Sequence, residues 1–150
     1  MGASLCNVIN KYQNCLIKWP NDIIINDKKI AGILVEAISS YEIDAVIIGI
    51  GINVNSEKFP SDLIIKASSL KLETKKLINK EILLDEILKE FLRLYFLFID
   101  NDYEFLSIVK ENNYLKNKNV YINDKEVKVL DINNSGNIID FMKTISEHNL

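Results

Sequence analysis

A lysine beside a proline-containing turn is the most chemically suggestive feature of the sequence. Lys18 is followed by Trp19, Pro20, Asn21 and Asp22. Proline favours extended backbone in the residue before it, so the turn fixes the point from which the lysine side chain extends. An ammonium group held in one place suits stabilisation of negative charge on a carboxylate and a phosphate. The competing interpretation is a surface lysine beside a tight turn, because most lysines are exposed.

Glycines recur in the apolar, strand-like segments that follow this lysine. Gly32 lies within residues 31–36, and Gly49 and Gly51 lie within residues 48–55. A glycine in a strand leaves room for a close approach to the backbone, although a β-bulge is the competing interpretation. The second segment resembles a nucleotide-binding loop, but Val54 occupies the position of the third glycine of a dinucleotide fingerprint and no helix is predicted there. We therefore reject a dinucleotide-binding fold.

The composition limits the classes of function. The 150 residues carry a formal net charge of -3, and 48% of them are apolar, enough for a folded core. We expect no nucleic-acid partner, because no basic stripe is present. Cys6 and Cys15 do not form a C-x-x-C pair and His148 is the only histidine, so no zinc site is expected. No signal peptide or membrane span is predicted, and reduced thiols indicate the cytoplasm.

The first half of the sequence predicts a helix and then strands. Apolar residues at helical spacing indicate a short helix over residues 3–12. Strands are predicted over the segments 16–18, 22–26, 29–36 and 44–53, the second and third forming a hairpin around an Asn-Asp turn. The last of these strands is almost continuously apolar, which predicts burial on both faces. A loop is predicted over residues 55–69.

Two helices are predicted after this loop. The longer one spans residues 80–101, with Asn79 as its N-cap. Its apolar side chains recur at helical spacing and predict a stripe that faces the core. The members of this stripe are Ile82, Ile87, Phe91, Leu94, Tyr95 and Phe98. A shorter helix is predicted over residues 102–113.

The C-terminal part predicts a small β segment. Residues 120–122 and 126–130 flank an Asn-Asp turn, which is typical of a hairpin, and a second turn ends at Gly136. This change of pattern predicts a domain boundary near residue 115. We therefore predict an α+β fold, with a mixed, largely antiparallel sheet that has helices on one side, followed by a small, partial, barrel-like β segment.

The order and spacing of these segments closely resemble the catalytic core of biotin protein ligases. Residues 17–55 carry the resemblance through Lys-Trp-Pro-Asn-Asp, Lys-Ile-Ala-Gly-Ile-Leu-Val-Glu and Ile-Gly-Ile-Gly-Ile-Asn-Val-Asn. The later helix and β segment agree with the family in their order. The resemblance implies that residues 1–115 form the C-terminal part of a catalytic domain. It also implies that residues 116–150 form part of a small SH3-like domain.

The resemblance implies an enzyme that uses ATP to activate biotin as biotinyl-AMP and then attaches biotin to a lysine of a biotin carrier protein. An example of such a carrier is the biotin carboxyl carrier subunit of acetyl-CoA carboxylase. ATP would bring Mg²⁺, with Asp22 as the candidate protein ligand. A homodimer is one option for its assembly, and no membrane partner is implied.

The resemblance implies a role for each residue that matches the family's motif. Lys18 is the catalytic candidate, between biotin's carboxylate and the α-phosphate of ATP. Asn21 and Asp22 would support the site and the nucleotide, and Asn53 would lie near the nucleotide. The residues that would line the biotin side are Gly32, Ile33 and Leu34. Trp19 is predicted to pack beneath the loop instead of touching substrate.

The sequence also departs from the family. Family members carry an Arg/Gly-rich loop N-terminal to this region, whereas the only arginine here is Arg93, in the predicted long helix. We therefore expect a chain truncated at its N-terminus, with a short β domain and weak or no activity alone. Two alternatives stay open. One is a non-catalytic module that binds the carrier protein, and the other is a lipoate or octanoyl ligase of the same broader fold.

Overall fold

The computed structural model describes residues 1–39, 41, 43–122 and 124–140. Helices and strands are arranged as two antiparallel sheets with helices between them in the sequence. The elements in chain order are α1 Gly2–Ile9, β1 Leu16–Lys18, β2 Asp22–Ile25, β3 Lys28–Ser39, β4 Ile43–Ile52, α2 Leu70–Thr74, α3 Lys80–Ile99, α4 Glu104–Glu111, β5 Asn119–Ile122, β6 Lys125–Ile132 and β7 Ile138–Asp140. Every predicted helix and strand is present; β1 has the predicted bounds, and the other elements have shifted ends.

The first sheet has the order β1-β2-β3-β4, and each neighbouring pair is antiparallel. Beside β1, Ile17 donates its N–H to the carbonyl of Asn112 at 2.7 Å and accepts from the N–H of Tyr114 at 2.9 Å. This parallel bridge covers the outer edge of β1. The predicted α+β class is confirmed.

The hydrophobic core lies between α1 and one face of this sheet. Ile17, Ile23 and Ala31 are neighbours in the strand register and therefore share a face, and all three are buried. Leu5 and Ile9 of α1 are fully buried in the same cluster. Helix α1 also packs against α3 and α4, so the helices lie on one side of the sheet.

Helix α3 begins where its N-cap predicts but buries a different stripe. The Asn79 side chain accepts hydrogen bonds from the N–H groups of Glu81 and Ile82. The buried residues are Leu83, Ile87 and Leu94. The predicted stripe was wrong at Ile82, Tyr95 and Phe98, which are exposed, because in the described structure α3 contacts α1 and α4 over only a narrow strip.

The prediction that the apolar fourth strand is buried on both faces was wrong. Strand β4 is an edge strand, and no other described strand pairs with its outer side. Val46 and Ile47 point to opposite faces, and each is about half exposed, at 53% and 51%. The apolar composition of β4 therefore did not predict its burial, because no described element covers this end of the sheet.

Helix α2 was missed by the sequence prediction. It has only five residues, too few for a helical period to be recognised. Ser69 caps it, and the N–H of Leu70 donates to the carbonyl of Asn53 at 2.9 Å. The helix thereby anchors the segment that follows β4. No helix in the described residues is long and apolar enough to cross a membrane.

The second sheet has the order β5-β6-β7 and is antiparallel throughout. These strands form an open sheet in the described residues, not a closed barrel. Ile132 of β6 is buried in the same core cluster as α1 and the first sheet. Residues 141–150, the end of the segment expected to form the small β domain, lie outside the described residues.

Candidate functional site

One row of residues crosses the whole first sheet. In the strand register Lys18 lies opposite Asp22, Asp22 opposite Gly32, and Gly32 opposite Gly51. Directly opposed residues of antiparallel strands point to the same face. Their neighbours Ile17, Ile23 and Ala31 point to the core, so the row faces away from α1. The row places one lysine and one carboxylate beside two positions without side chains.

The Lys18 side chain lies at the exposed end of this row. Among the described residues, no carboxylate forms an ion pair with its ammonium group. Its neighbour Asp22 lies directly across the ladder, where an opposite charge would normally pair. The sequence therefore folds into an arrangement in which a strand-anchored cation keeps its charge available.

Asp22 pairs with a different lysine. The Nζ of Lys29 lies 2.6 Å from Oδ1 of Asp22, with 18% of the Asp22 side chain exposed. The Oδ1 atom itself is shielded from solvent. Its contact with Lys29 is a close ion pair, but it does not have the geometry of a hydrogen bond. A shielded carboxylate oxygen needs such compensation, because an isolated buried charge is strongly disfavoured.

Gly32 makes this ion pair sterically possible. A Cβ at this position would lie 2.9 Å from both Cε and Nζ of Lys29, and 3.6 Å from Oδ1 of Asp22. The close approach expected at this glycine is therefore made by a lysine of the chain itself. Sequence analysis missed the role of Lys29, because its side chain reaches this face only through a β-bulge. The register shifts between Ile23 and Ile24, leaving Ile30 without an opposite partner.

Residues 3–53 match the model of the biotin/lipoate A/B protein ligase family. A bifunctional ligase/repressor BirA of Bacillus spizizenii is 45% identical over 82 residues, which cover 53% of this chain and 25% of that protein. A biotin--[acetyl-CoA-carboxylase] ligase of Paracoccus denitrificans is 51% identical over 39 residues, covering 25% of this chain and 16% of that protein. Over these ranges the chain is similar to biotin protein ligases.

The fold agrees with solved members of the biotin protein ligase family. A biotin protein ligase of Aquifex aeolicus, solved in complex with biotin and ATP, superposes with a TM-score of 0.82 at 24% identity. The superposition covers 93% of this chain and 61% of that protein. At this identity the likeness concerns the fold. The chain spans about a quarter of the Bacillus spizizenii relative with which it aligns.

The region matched to the ligase family contains every site residue named from the sequence, but the strands divide them between two faces. Gly32 and Leu34 alternate with Ile33, so Ile33 points to the opposite face from Lys18. Ile33 is buried in the core cluster, whereas Leu34 is 63% exposed. The structure thus brings Lys18, Asp22 and Gly32 together and separates Ile33 from them.

The two asparagines hold the backbone of the site. Asn21 donates its side-chain N–H to the carbonyl of Ile33 at 3.3 Å and accepts from the N–H of Ile33 at 2.8 Å. These bonds tie the proline turn to β3. Asn53 donates its backbone N–H to the carbonyl of Ile30 at 2.8 Å, beside the bulge. Both residues therefore fix the segments from which charged groups extend.

An apolar cavity of about 610 Å³ opens on the helix side of the proline turn. It is bordered by the turn, by β3 and by the inner surfaces of the helices. Among its lining residues are Trp19, Asn21, Ile33, Leu34, Leu94 and Phe98. Lys18, Asp22 and Gly32 are not part of its lining, whereas Leu34, on the same face of β3 as Gly32, is.

Trp19 is half-buried, packs against the core and also borders the cavity. Its ring lies against the turn of the second sheet. A Cβ at Gly136 would lie 3.2 Å from Cζ2 of Trp19, and Gly136 has a φ of +79°. The indole therefore connects the proline turn with the β6–β7 turn.

The described residues offer little for binding a metal ion. They contain no group of three or more His, Cys, Asp or Glu side chains arranged to hold one. The Asp22 carboxylate is paired with Lys29. The described residues therefore do not form a metal site of their own, and Mg²⁺ in such sites is usually bound through one or two carboxylates together with substrate phosphates.

The two cysteines are buried and free. Their sulfur atoms lie 3.7 Å apart, between α1 and the start of β1. The hydrogen bond with Cys6 and burial raise the pKa of the Cys15 thiol, so that thiol stays protonated at neutral pH. These thiols point into the core, away from the charged row.

Proposed function

We propose that this chain provides the catalytic lysine and part of the substrate site of an ATP-dependent biotin protein ligase. In the first step biotin's carboxylate oxygen attacks the α-phosphorus of ATP, and the bond to the departing pyrophosphate breaks. In the second step a lysine amine of the carrier protein attacks the acyl carbon of biotinyl-AMP. An amide bond forms, the amine loses a proton, and AMP leaves.

The proposal is carried by the Lys18 ammonium, which has no ion-pair partner among the described residues and extends from a turn tied to β3. Both steps bring negative charge together, first at the carboxylate and α-phosphate and later at the departing phosphate. A positioned cation lowers the energy of such charge most effectively when it needs no rearrangement. Alignment of the two reactants contributes further, and neither step requires a protein nucleophile.

The other residues have supporting roles in this proposal. Asn21 holds the turn, and Asp22 supports the nucleotide side through its pairing with Lys29. Gly32, Ile33 and Leu34 are assigned to the biotin side, and Asn53 to the neighbourhood of the nucleotide. The position of Ile33 and Leu34 at an apolar cavity supports contact with an apolar part of the substrate.

The wider assignments follow from the family. The proposed acceptor is a biotin carrier protein, such as the carrier subunit of acetyl-CoA carboxylase, and the proposed location is the cytoplasm. Residues 1–115 are proposed as part of the catalytic domain and residues 116–150 as part of the small C-terminal domain. A homodimer stays a prediction. Mg²⁺ that enters with ATP would be coordinated by the phosphate oxygens, because the Asp22 carboxylate is paired with Lys29.

A lipoate ligase is the second candidate, because the matching family model covers both biotin and lipoate ligases. The two functions use different acyl groups, but both form an acyl-adenylate intermediate. Ligand ranking therefore separates them. Thermal unfolding of the chain should be followed with non-hydrolysable analogues of biotinyl-AMP, lipoyl-AMP and octanoyl-AMP, with AMP as the control.

The biotin proposal predicts the largest rise in melting temperature with the biotinyl analogue. A ligand that binds the folded state raises the free energy of unfolding. This rise grows with the ratio of the ligand concentration to the dissociation constant. A larger rise with the lipoyl or octanoyl analogue would support the second candidate. Equal rises with all acyl analogues and with AMP would contradict acyl recognition by this chain.

A further inference from the structure

Two cysteine side chains face each other in the core without a covalent bond between them. The Sγ atoms of Cys6, in α1, and of Cys15, directly before β1, lie 3.7 Å apart. Each sulfur also lies near the carbonyl oxygen of the other residue, at 3.9 Å for Cys6 and 3.7 Å for Cys15. A disulfide has an S–S length of about 2.05 Å, so the sulfur atoms would have to approach each other by about 1.6 Å. No step of the proposed function uses either thiol.

A third side chain contacts both cysteines. Asn10, the C-cap of α1, donates its side-chain N–H to the Cys6 sulfur at 3.5 Å and accepts from the backbone N–H of Cys15 at 2.7 Å. The amide thereby holds the segment that carries Cys15 against the end of the helix that carries Cys6. The separation of the two thiols is therefore set by the turn between α1 and β1.

The two thiols differ in their chemistry. Hydrogen bonds from Cys15 and from Asn10 lower the pKa of the Cys6 thiol, although burial acts in the opposite direction. The Cys15 thiol has a raised pKa and keeps its proton. A thiolate reacts with oxidants and a protonated thiol does not. Cys6 is therefore the sulfur that attacks an oxidant first, and Cys15 is the sulfur that completes a bond to it.

A polar cavity lies beside this pair. Its volume is about 350 Å³, and its lining includes Cys15 together with Asn14, Asn26 and Tyr114. The exposed fraction of Cys15 is 3%, and Cys6 next to it is fully buried. This degree of burial excludes large thiol reagents from the folded chain, so an oxidant that reaches the sulfur atoms must be very small.

We propose that Cys6 and Cys15 form a thiol–disulfide site that hydrogen peroxide oxidises in the folded chain and that thiol reductants restore. The Cys6 thiolate attacks one peroxide oxygen, the O–O bond breaks, and the departing hydroxide takes up a proton to become water. This step leaves a sulfenic acid on Cys6. The Cys15 sulfur then attacks the Cys6 sulfur, an S–S bond forms, and hydroxide leaves with the Cys15 proton as a second water. The two thiols lose two electrons in total, and the peroxide accepts them.

The new bond would tie α1 to the strand that carries Lys18, because β1 begins directly after Cys15. A cross-link restricts the unfolded chain and so raises thermal stability. We expect the oxidised chain to melt about 5–10 °C above the reduced chain. Cys15→Ala cannot form the bond, so peroxide should not raise its melting temperature. A fall in the melting temperature of the cross-linked chain would mean that the fold does not accommodate the bond, and would overturn the proposal.

Mass spectrometry detects the reaction directly. The folded chain is treated with hydrogen peroxide at low protein concentration, and the remaining thiols are alkylated after denaturation. We expect the chain to lose the mass of two hydrogen atoms, to resist alkylation and to stay monomeric. Trypsin cuts after Lys11 and Lys18, so peptides 1–11 and 12–18 should stay joined until dithiothreitol separates them. The readout needs no substrate, so it does not depend on the proposed function.

The competing possibility is that the two cysteines only fill the core and react when the chain unfolds. The same treatment is therefore applied to the chain unfolded in urea. If peroxide oxidises the unfolded chain but leaves both thiols of the folded chain open to alkylation, the proposal is wrong. Disulfides between two molecules as the main product of the folded chain would also overturn it.

Asn10→Ala tests whether the turn prepares the pair for reaction. Loss of the hydrogen bond to the Cys6 sulfur should slow formation of the bond about fivefold, the effect of one hydrogen bond. Asn14→Ala is the matched control, because Asn14 is exposed in the same turn and lines the same cavity, and it should react like the unmodified chain. Equal rates in Asn10→Ala and the unmodified chain would contradict a site prepared by the fold.

Discussion

The indole ring of Trp19 packs against the backbone of Gly136, which joins the proline turn to the β6–β7 turn. A Cβ at position 136 would lie 3.2 Å from Cζ2 of the ring. The two residues are far apart in the sequence, and Trp19 directly follows the proposed catalytic lysine. The contact therefore stabilises the segment from which Lys18 extends.

Gly136→Ala should lower the free energy of unfolding by about 1–2 kcal/mol. Its φ of +79° is costly for residues with a Cβ, and the added methyl group also approaches Trp19. Urea unfolding followed by tryptophan fluorescence measures this change. Ser135→Ala is the matched control, because Ser135 is exposed in the same turn. Equal stability of Gly136→Ala and the unmodified chain would mean that the contact contributes nothing.

Asn79→Ala should destabilise the chain by about 1 kcal/mol, the usual contribution of an N-cap. The Asn79 Oδ1 accepts hydrogen bonds from Glu81 N at 2.9 Å and from Ile82 N at 3.1 Å. Asn79→Asp keeps an acceptor and should stay within a few tenths of a kcal/mol of the unmodified chain. Urea unfolding at neutral pH distinguishes the two variants. A similar loss in both would show that the cap is not the cause.

Acid should remove the contribution of the Arg93 ion pairs. Hydrogen bonds from Arg93 hold the pKa values of Glu90 and Glu104 below their usual range. A carboxyl group with a lowered pKa in the folded state stabilises the fold above its unfolded pKa, which is about 4.3 for Glu. That stability is lost as pH falls from this value through the lower folded pKa.

Arg93→Met should therefore be less stable than the unmodified chain at pH 7, by up to about 1 kcal/mol for pairs this exposed. The difference should shrink as pH falls below about 4.3. Urea unfolding between neutral and acidic pH provides the comparison. Lys89→Met, which removes a fully exposed pair on the same helix, is the control and should show a smaller dependence on pH. A difference that stays constant with pH would exclude ionic stabilisation by Arg93.

The exposed edge of β4 should promote self-association. An edge strand with free backbone groups and apolar side chains is a template for pairing with another chain. We expect light scattering by the unmodified chain to rise with protein concentration, and Val46→Lys to reduce this rise. Leu88→Lys is the control, because Leu88 is also about half exposed but lies on α3. If the helix variant reduced scattering as much as Val46→Lys, general hydrophobicity would explain the association.

Local signals predicted much of the fold. Proline at position 20 ended β1, Asn-Asp turns marked both hairpins, and Asn79 marked the start of α3, because each acts through its nearest neighbours. Burial was predicted less well. Ile82 and Val46 are apolar but exposed. Burial of a side chain depends on which other element packs against it, and local periodicity does not contain that information.

The site was predicted in part. The motif identified Lys18, Asp22 and Gly32, which the strand register brings together on one face. It did not identify Lys29, whose contact with Asp22 depends on a bulge and on a hydrogen bond to Lys66. Alternation along β3 also separates Ile33 from Gly32, a division that the motif alone does not express.

The most direct measurement is calorimetric titration of the chain and its Lys18→Ala variant with a non-hydrolysable biotinyl-AMP analogue. A hydrogen bond to a charged group contributes about 1.5–3 kcal/mol, so Lys18→Ala should weaken binding about ten- to a hundredfold. Lys128→Ala, at an exposed lysine on β6, should bind like the unmodified chain. Equal affinities of the Lys18→Ala variant and the unmodified chain would contradict the account.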